Sequence, residues 1–244
     1  MKLLSPIILS SFLNFVLAES LRGSLMEQKQ MFWSQLGSDI DGDDAGDEFG
    51  SSLDISGDGR TIAIGSMFND GNGADSGHVR VLFFNDTSDK WIQLGSDIDG
   101  EEAGDRSGWS VSLSDNGRII AVGANRNDGN GVDSGHVRMY GFDETSGGWS
   151  QLGKDINGES TGDQSGAHVS LSGDGSRVAI GSHFNDGNKK NSGHVRVFEF
   201  NDIAGKWVQL GLDIDGEAAD DLSGFQVSLS QNGDSVAIGA FRND

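Results

Sequence analysis

Four tryptophans, Trp33, Trp91, Trp149 and Trp207, recur at an unbroken step of 58 residues. The pairs Gly77-His78, Gly135-His136 and Gly193-His194 keep the same step. So do the apolar triplets Ile62-Ala63-Ile64, Ile120-Ala121-Val122, Val178-Ala179-Ile180 and Val236-Ala237-Ile238. A period of this size marks a supersecondary unit that hides its apolar faces by packing on its neighbours. The repeat constrains architecture strongly and names no ligand.

Each unit carries four strand signals. In the copy starting at Trp91, Trp91 to Ile98 is a strand with an irregular end. Trp109, Val111 and Leu113 then alternate with Ser110, Ser112 and Ser114, the period of a half-buried strand. Asp115-Asn116-Gly117 is a tight turn, Ile119 to Val122 reads as a strand covered on both faces, and Gly135 to Tyr140 as another. The 38 glycines suit short strands and tight turns. The expected fold is all-β, a β-propeller-like array of four-stranded antiparallel blades over residues 33 to 241: three full units and a partial fourth, open or incomplete. The fourth unit stops before its third strand, so the chain is expected to be a fragment of a longer array, since an unpaired edge is normally covered.

Residues 1–18 pair a positive start at Lys2 with a short apolar run, and read as a secretory signal peptide cleaved after Ala18. Residues 19–32 form a linker, and no later segment could span a bilayer. Cysteine is absent, so stability must come from burial and strand pairing. The net charge of -21 argues against a nucleic-acid partner and fits a secreted protein that meets an extracellular protein, a glycan or a cation. Asn85, in the sequon Asn85-Asp86-Thr87, is a candidate glycosylation site.

Gly108-Trp109-Ser110-Val111, Ile120-Ala121-Val122-Gly123-Ala124 and Gly135-His136-Val137-Arg138 resemble the FG-GAP repeats of integrin-like propellers, in their tryptophan-containing extracellular variant. The resemblance implies a propeller, usually of seven blades, binding ligands on one rim. It also implies calcium in a D-x-D-x-D-G loop between the first two strands. Here those positions are Ser56-Gly57-Asp58-Gly59 and its copies, too short and too poor in carboxylates for calcium's 6–8 oxygens.

The acid gathers elsewhere, in the loop after each tryptophan strand (Asp97, Asp99, Glu101, Glu102 and Asp105 in one copy) and the loop before each glycine-histidine strand (Asp128 and Asp133). In a meander both loops reach the same face. That face is a candidate for weak Ca²⁺ binding through Asp97, Asp99, Asp128 and Asp133, for steering a basic partner, or for plain solvation. The loop itself is too acidic to enter a core. His78, His136 and His194 lie one per blade and are expected to hydrogen-bond a neighbouring turn. His168 lacks counterparts. Trp109, also unmatched, is the first choice for a ligand contact. Near-identical units favour a non-enzymatic binding or adhesion module; a structural matrix component and, less favoured, a propeller hydrolase or lyase are the alternatives.

Overall fold

The computed structural model describes residues 33–243. The expected signal peptide and linker lie outside the described residues. The compact body begins at Leu36. No strand is assigned at Trp33, which is fully exposed, so the first strand expected there does not form.

Every described element is a strand. The first blade contains β1 (Ser52–Ile55), β2 (Thr61–Ser66), β3 (His78–Asn85), β4 (Lys90–Gln93) and β5 (Ile98–Asp99). The second repeats it with β6 (Ser110–Leu113), β7 (Ile119–Ala124), β8 (His136–Asp143), β9 (Gly148–Gln151) and β10 (Ile156–Asn157). The third does so with β11 (His168–Leu171), β12 (Arg177–Ser182), β13 (His194–Asn201), β14 (Lys206–Gln209) and β15 (Ile214–Asp215). A last sheet holds β16 (Ser223–Leu229) and β17 (Val236–Ala240). All pairings between these strands are antiparallel, and β1, β6, β11 and β16 lie side by side. The result is an open run of propeller blades with these four strands innermost.

The blade frame differs from the one read in the sequence. The tryptophan strand ends a blade and does not begin one: Trp91 pairs with Phe84 and Trp149 with Phe142. The short turn between Asn85 and Lys90 folds the chain directly back on β3, whereas the longer segment after Asp99 carries it to the next blade. The irregular end of this strand is real. β4 and β5 both pair with β3, and Leu94 interrupts them by turning inward.

The core lies between blades. Ala63, Val79, Val81, Leu94 and Ile98 of the first pack on Val111, Leu113, Ile120, Val122 and Tyr140 of the second. Ala121, Val137, Met139 and Ile156 meet Val169, Val178, Ile180 and Phe198 in the same way. A blade alone would leave one of these faces wet, which is why the sequence repeats as a unit.

The tryptophans stitch successive copies together. Trp149 Nε1 donates to the carbonyl of Leu94 at 2.7 Å, and Trp207 Nε1 to that of Leu152 at 2.8 Å. The Trp149 ring lies edge-on to Phe142 (5.2 Å) and covers Gly95, where a Cβ would stand 2.9 Å from the indole. Replacing Trp149 with phenylalanine is expected to cost about 1–2 kcal/mol, because it removes the donor from the carbonyl of buried Leu94. Urea denaturation checks this; an unchanged midpoint would show that the indole acts only as bulk.

Candidate functional site

The two acidic loops interleave at one end of the blades. Asn72 Nδ2 donates to the carbonyls of Gly100 (2.8 Å) and Glu101 (3.0 Å), and Asn130 does the same to Gly158 and Glu159. Backbone bonds from Gly104 to Ala74 and from Arg106 to Asp75 close the contact. The expectation that both loops share one face therefore holds.

Not all of that acid faces solvent. Asp47, Asp105, Asp163 and Asp221 are buried, contrary to the expectation that the loop is too acidic to pack. Asp105 Oδ2 accepts from Asn127 Nδ2 at 3.0 Å and from the amide of Glu102 at 3.1 Å. Asp163 and Asn185 repeat this latch. Burial of a carboxylate is tolerable when amide donors replace water, so these residues tie the loops together.

Among the described residues, the four carboxylates expected to hold calcium are not in either group whose donor atoms converge closely enough for an ion. Asp97 accepts from Arg80 at 3.2 Å and Gln93 at 2.9 Å, while Asp128 Oδ1 caps its own loop at the amide of Asp133. Asp99 contributes its backbone carbonyl to Arg138. Asp133 takes a positive φ of 51°, a turn conformation aspartate tolerates. The turn at the position of the resembled family's calcium loop does not fit that ion either: Asp58 Oδ1 is already taken by Ser56 Oγ (2.7 Å) and the Arg60 amide (2.9 Å).

Each blade places a histidine beside two carboxylates and an arginine. Among the described residues, Glu101, His136 and Asp155 bring one ligand atom each within 4.8 Å of one another, as do Glu159, His194 and Asp213. The expected hydrogen bond from these histidines to a turn is absent: Nε2 of His78, His136 and His194 has no partner. Each of these histidines is the buried first residue of its strand, β3, β8 or β13. The nearest loop groups to His136 and His194 are carboxylates that stand at about 4 Å, beyond hydrogen-bond reach. Burial holds His136 below the usual histidine range, and the charge of Arg138 lowers it further. His194 is lowered by burial and then by Arg196. Both are neutral near pH 7, so their approaches of about 4 Å to Glu101 and Glu159 are not ion pairs.

A groove of about 940 Å³ opens where the innermost strands converge, and it holds what the repeat does not repeat. Trp109, Arg126, His168, His183 and Phe225 line it. Trp109 thus stands in a concave site, with the Arg106 guanidinium 6.0 Å from its ring. His168 Nδ1 accepts from the amide of Val227 at 3.4 Å, which gives this unmatched histidine a partner in the next strand. His183 packs between Phe184 and Phe225, and burial pushes it down to about 4. His183 and Phe225 were not singled out from the sequence. Their signal was available as departures from the 58-residue pattern: His183 replaces Met67 and Asn125. Asn85 sits at the end of β3, where its Oδ1 accepts from the amides of Thr87 and Ser88. Asp143 and Asn201 cap the equivalent turns.

The FG-GAP repeat model matches residues 39–82 and 98–140. No curated protein sequence matches the chain. Among solved structures, a protein of Bacteroides uniformis ATCC 8492 provisionally described as a 6-phosphogluconolactonase aligns with a TM-score of 0.51 at 16% identity, over 77% of this chain and 46% of its own. A similarly described protein of Bacteroides fragilis NCTC 9343 gives 0.48 at 12% identity, over 76% and 40%. The periplasmic gluconolactonase of Pseudomonas aeruginosa gives 0.44 at 20%, over 77% and 42%. The chain spans less than half the length of each of these structures. At such identities the first likeness speaks to fold alone. Fold, internal period and family match agree: residues 39–82 and 98–140 match FG-GAP repeats, and the same period continues in the third unit of this propeller-like array.

Proposed function

We propose that this chain is a secreted, non-enzymatic binding module that presents its acidic face to a basic protein surface. One observation carries the reading: the two acidic loops of neighbouring copies are locked together by asparagine bonds to backbone carbonyls, so their free carboxylates form a fixed array. Preorganised charge of one sign raises the encounter rate and selects partners of the other. Both ends carry ion pairs, Arg60 with Asp86, Arg118 with Glu144 and Arg177 with Asp234 at the opposite end, and Arg80 with Asp97 and Arg138 with Glu101 at the acidic one. The reading therefore rests on the loop acids outside those pairs, such as Glu102, Asp128 and Asp133.

The groove supports a second reading, a glycan stacked on Trp109 or Phe225, since aromatic faces accept sugar rings. An enzyme built on this groove would draw on His168 and His183, but the first accepts a backbone bond and the second is wedged among phenylalanines. A hydrolase screen that includes sugar lactones tests that alternative directly.

For the leading reading, a lysine- and arginine-rich peptide is the probe. Its affinity is expected to fall by about tenfold between low and physiological salt. Neutralising Glu101, Glu102, Asp128 and Asp133 together should weaken it similarly. Neutralising Asp86, Asp89, Glu144 and Asp202 at the opposite end should not. Equal effects from the two sets would reduce the acidic face to a solubility feature.

A further inference from the structure

The third blade holds a histidine that protein atoms leave without a partner. His194 is 1% exposed, and neither ring nitrogen has a hydrogen-bond partner. Its Nδ1 is aimed at two carboxylate oxygens, Glu159 Oε2 at 3.9 Å and Asp213 Oδ2 at 4.0 Å. Leaving buried polar atoms unmatched is costly, and such atoms call for a ligand.

The carboxylates are held by their outer oxygens. Asp213 Oδ1 accepts from Gln209 Nε2 at 2.7 Å, which leaves Oδ2 facing the histidine. Glu159 Oε1 lies 3.8 Å from Arg196 Nη1, which leaves Oε2 facing it too. Neighbours that orient the donor oxygens in this way are the usual support of a metal site. The carboxylates are one-third to two-fifths exposed, so an ion has a path from solvent and room for water ligands. The second blade repeats the set with Glu101, His136 and Asp155, Gln151 Nε2 holding Asp155 Oδ1 at 2.6 Å.

The first blade provides an internal contrast. At the same positions stand Asp43, His78 and Asp97, but Arg80 bridges both carboxylates itself. In the second and third blades the equivalent arginines turn one Nη2 away, Arg138 to the carbonyl of Asp99 and Arg196 to that of Asn157, each at 2.7 Å. The longer Glu101 and Glu159 reach past the arginine to the histidine where Asp43 cannot.

We propose that Glu159, His194 and Asp213, and separately Glu101, His136 and Asp155, each bind a divalent transition-metal ion of the zinc class, while Arg80 closes the first-blade position to cations. One imidazole and two carboxylates with open positions suit such an ion. Metal–ligand bonds of about 2.0–2.2 Å at tetrahedral angles set donor atoms about 3.3–3.6 Å apart. The carboxylate oxygens at 3.9 and 4.0 Å from His194 Nδ1 must therefore close in by about half an ångström, a shift that rotation of partly exposed carboxylates supplies. The hard, oxygen-only preference of calcium is not met. Nothing in this proposal depends on the acidic face binding a macromolecule.

Zinc titration of the metal-stripped full chain by calorimetry, with elemental analysis after dialysis, tests it. The expected count is two Zn²⁺ per chain. His194→Gln and His136→Gln should each remove one, and His78→Gln should remove none. If a histidine variant does not fold, Glu159→Gln combined with Asp213→Asn replaces it, since both side chains are partly exposed. Absorption of the Co²⁺-loaded chain in the visible should halve in step with each lost site. No bound zinc, or two zinc ions that survive these substitutions, would overturn the sites. A third zinc lost with His78→Gln would overturn the role given to Arg80.

Discussion

Acidification of the metal-free protein from pH 6.5 to pH 4 is expected to destabilise it by several kcal/mol, before most carboxylates titrate. His136, His168, His183 and His194 all lie below the ordinary histidine value of 6.5, with burial as the leading cause in each. The unfolded chain takes up protons as pH falls through 6.5, whereas the folded chain does not. Stability is therefore fully present above that value and is lost on the way down to the folded-state pKa, about 4 for His183. A shift of that size is worth about 3 kcal/mol. Two such groups would remove a large part of the 5–15 kcal/mol that typically holds a domain together. Asp43, Asp58, Asp143 and Asp174 are lowered by hydrogen bonds, and their contribution is lost only below the ordinary aspartate value of 3.8. Urea unfolding at a series of pH values, with chelator present, should show a midpoint that falls steadily through this window. His183→Phe, which keeps the contact with Phe184 and Phe225, should flatten the slope. A wild-type midpoint constant from pH 6.5 to 4.5 would mean that the rings are protonated in the fold.

The sequence exposed most of the architecture because the repeat turns each local signal into several copies of it. Alternation in Trp109 to Leu113 and the apolar run Ile119 to Val122 mark β6 and β7, and Ile120, Ala121 and Val122 are enclosed as expected. But β6 is not half-buried: Ser110 and Ser112 are covered too, because the neighbouring inner strands pack on that face. Where a blade begins was not legible. Period alone does not say whether Trp91 pairs backward with Phe84 or forward with the next strand; only the length of the turn from Asn85 to Lys90 decides it. The sharing of one face by the acidic loops was legible, since strand direction alternates. The burial of Asp105 was not, because it depends on an amide from Asn127 in another loop. The same limit hid the groups around His136 and His194. Their carboxylates come from the connector between the last two strands of the blade and from the loop that follows the preceding blade, and only the fold brings Asp155 and Glu101 to one ring. Trp109 and His168 stood out as unmatched residues, and the groove they share follows from the convergence of the inner strands.

Alanine at Gly123 is expected to be among the most damaging single substitutions in the chain, while alanine at Gly239, the same position in the fourth unit, is expected to be nearly silent. Gly123 does not need glycine's conformational freedom, for it lies within β7 at an ordinary strand φ. It needs the missing side chain. A Cβ there would stand 2.2 Å from the carbonyl oxygen of Gly166 in the next blade and 2.5 Å from Ser110 Oγ. Those two atoms are themselves bonded, Ser110 Oγ donating to Gly166 at 2.8 Å, so the clash falls on an inter-blade hydrogen bond. Gly65 faces Gly108 in the same way, at 2.2 Å, and Gly181 faces Gly224 at 2.1 Å. The obstacle is backbone, which cannot rotate away as a side chain can. Either the blades separate or the bond breaks, at a cost of about 3 kcal/mol or more once strain and the lost bond are combined. At Gly239 the nearest atom is Gln226 Cβ at 3.7 Å, an ordinary contact, because no blade follows it among the described residues. Alanine there should leave stability within about 1 kcal/mol of wild type, with a small gain from a less flexible unfolded chain. Urea denaturation of Gly65→Ala, Gly123→Ala, Gly181→Ala and Gly239→Ala as single variants separates the two classes. If all four shifted the midpoint alike, the close approach of successive blades at these carbonyls would be wrong, and with it the packing that makes 58 residues the unit of this fold.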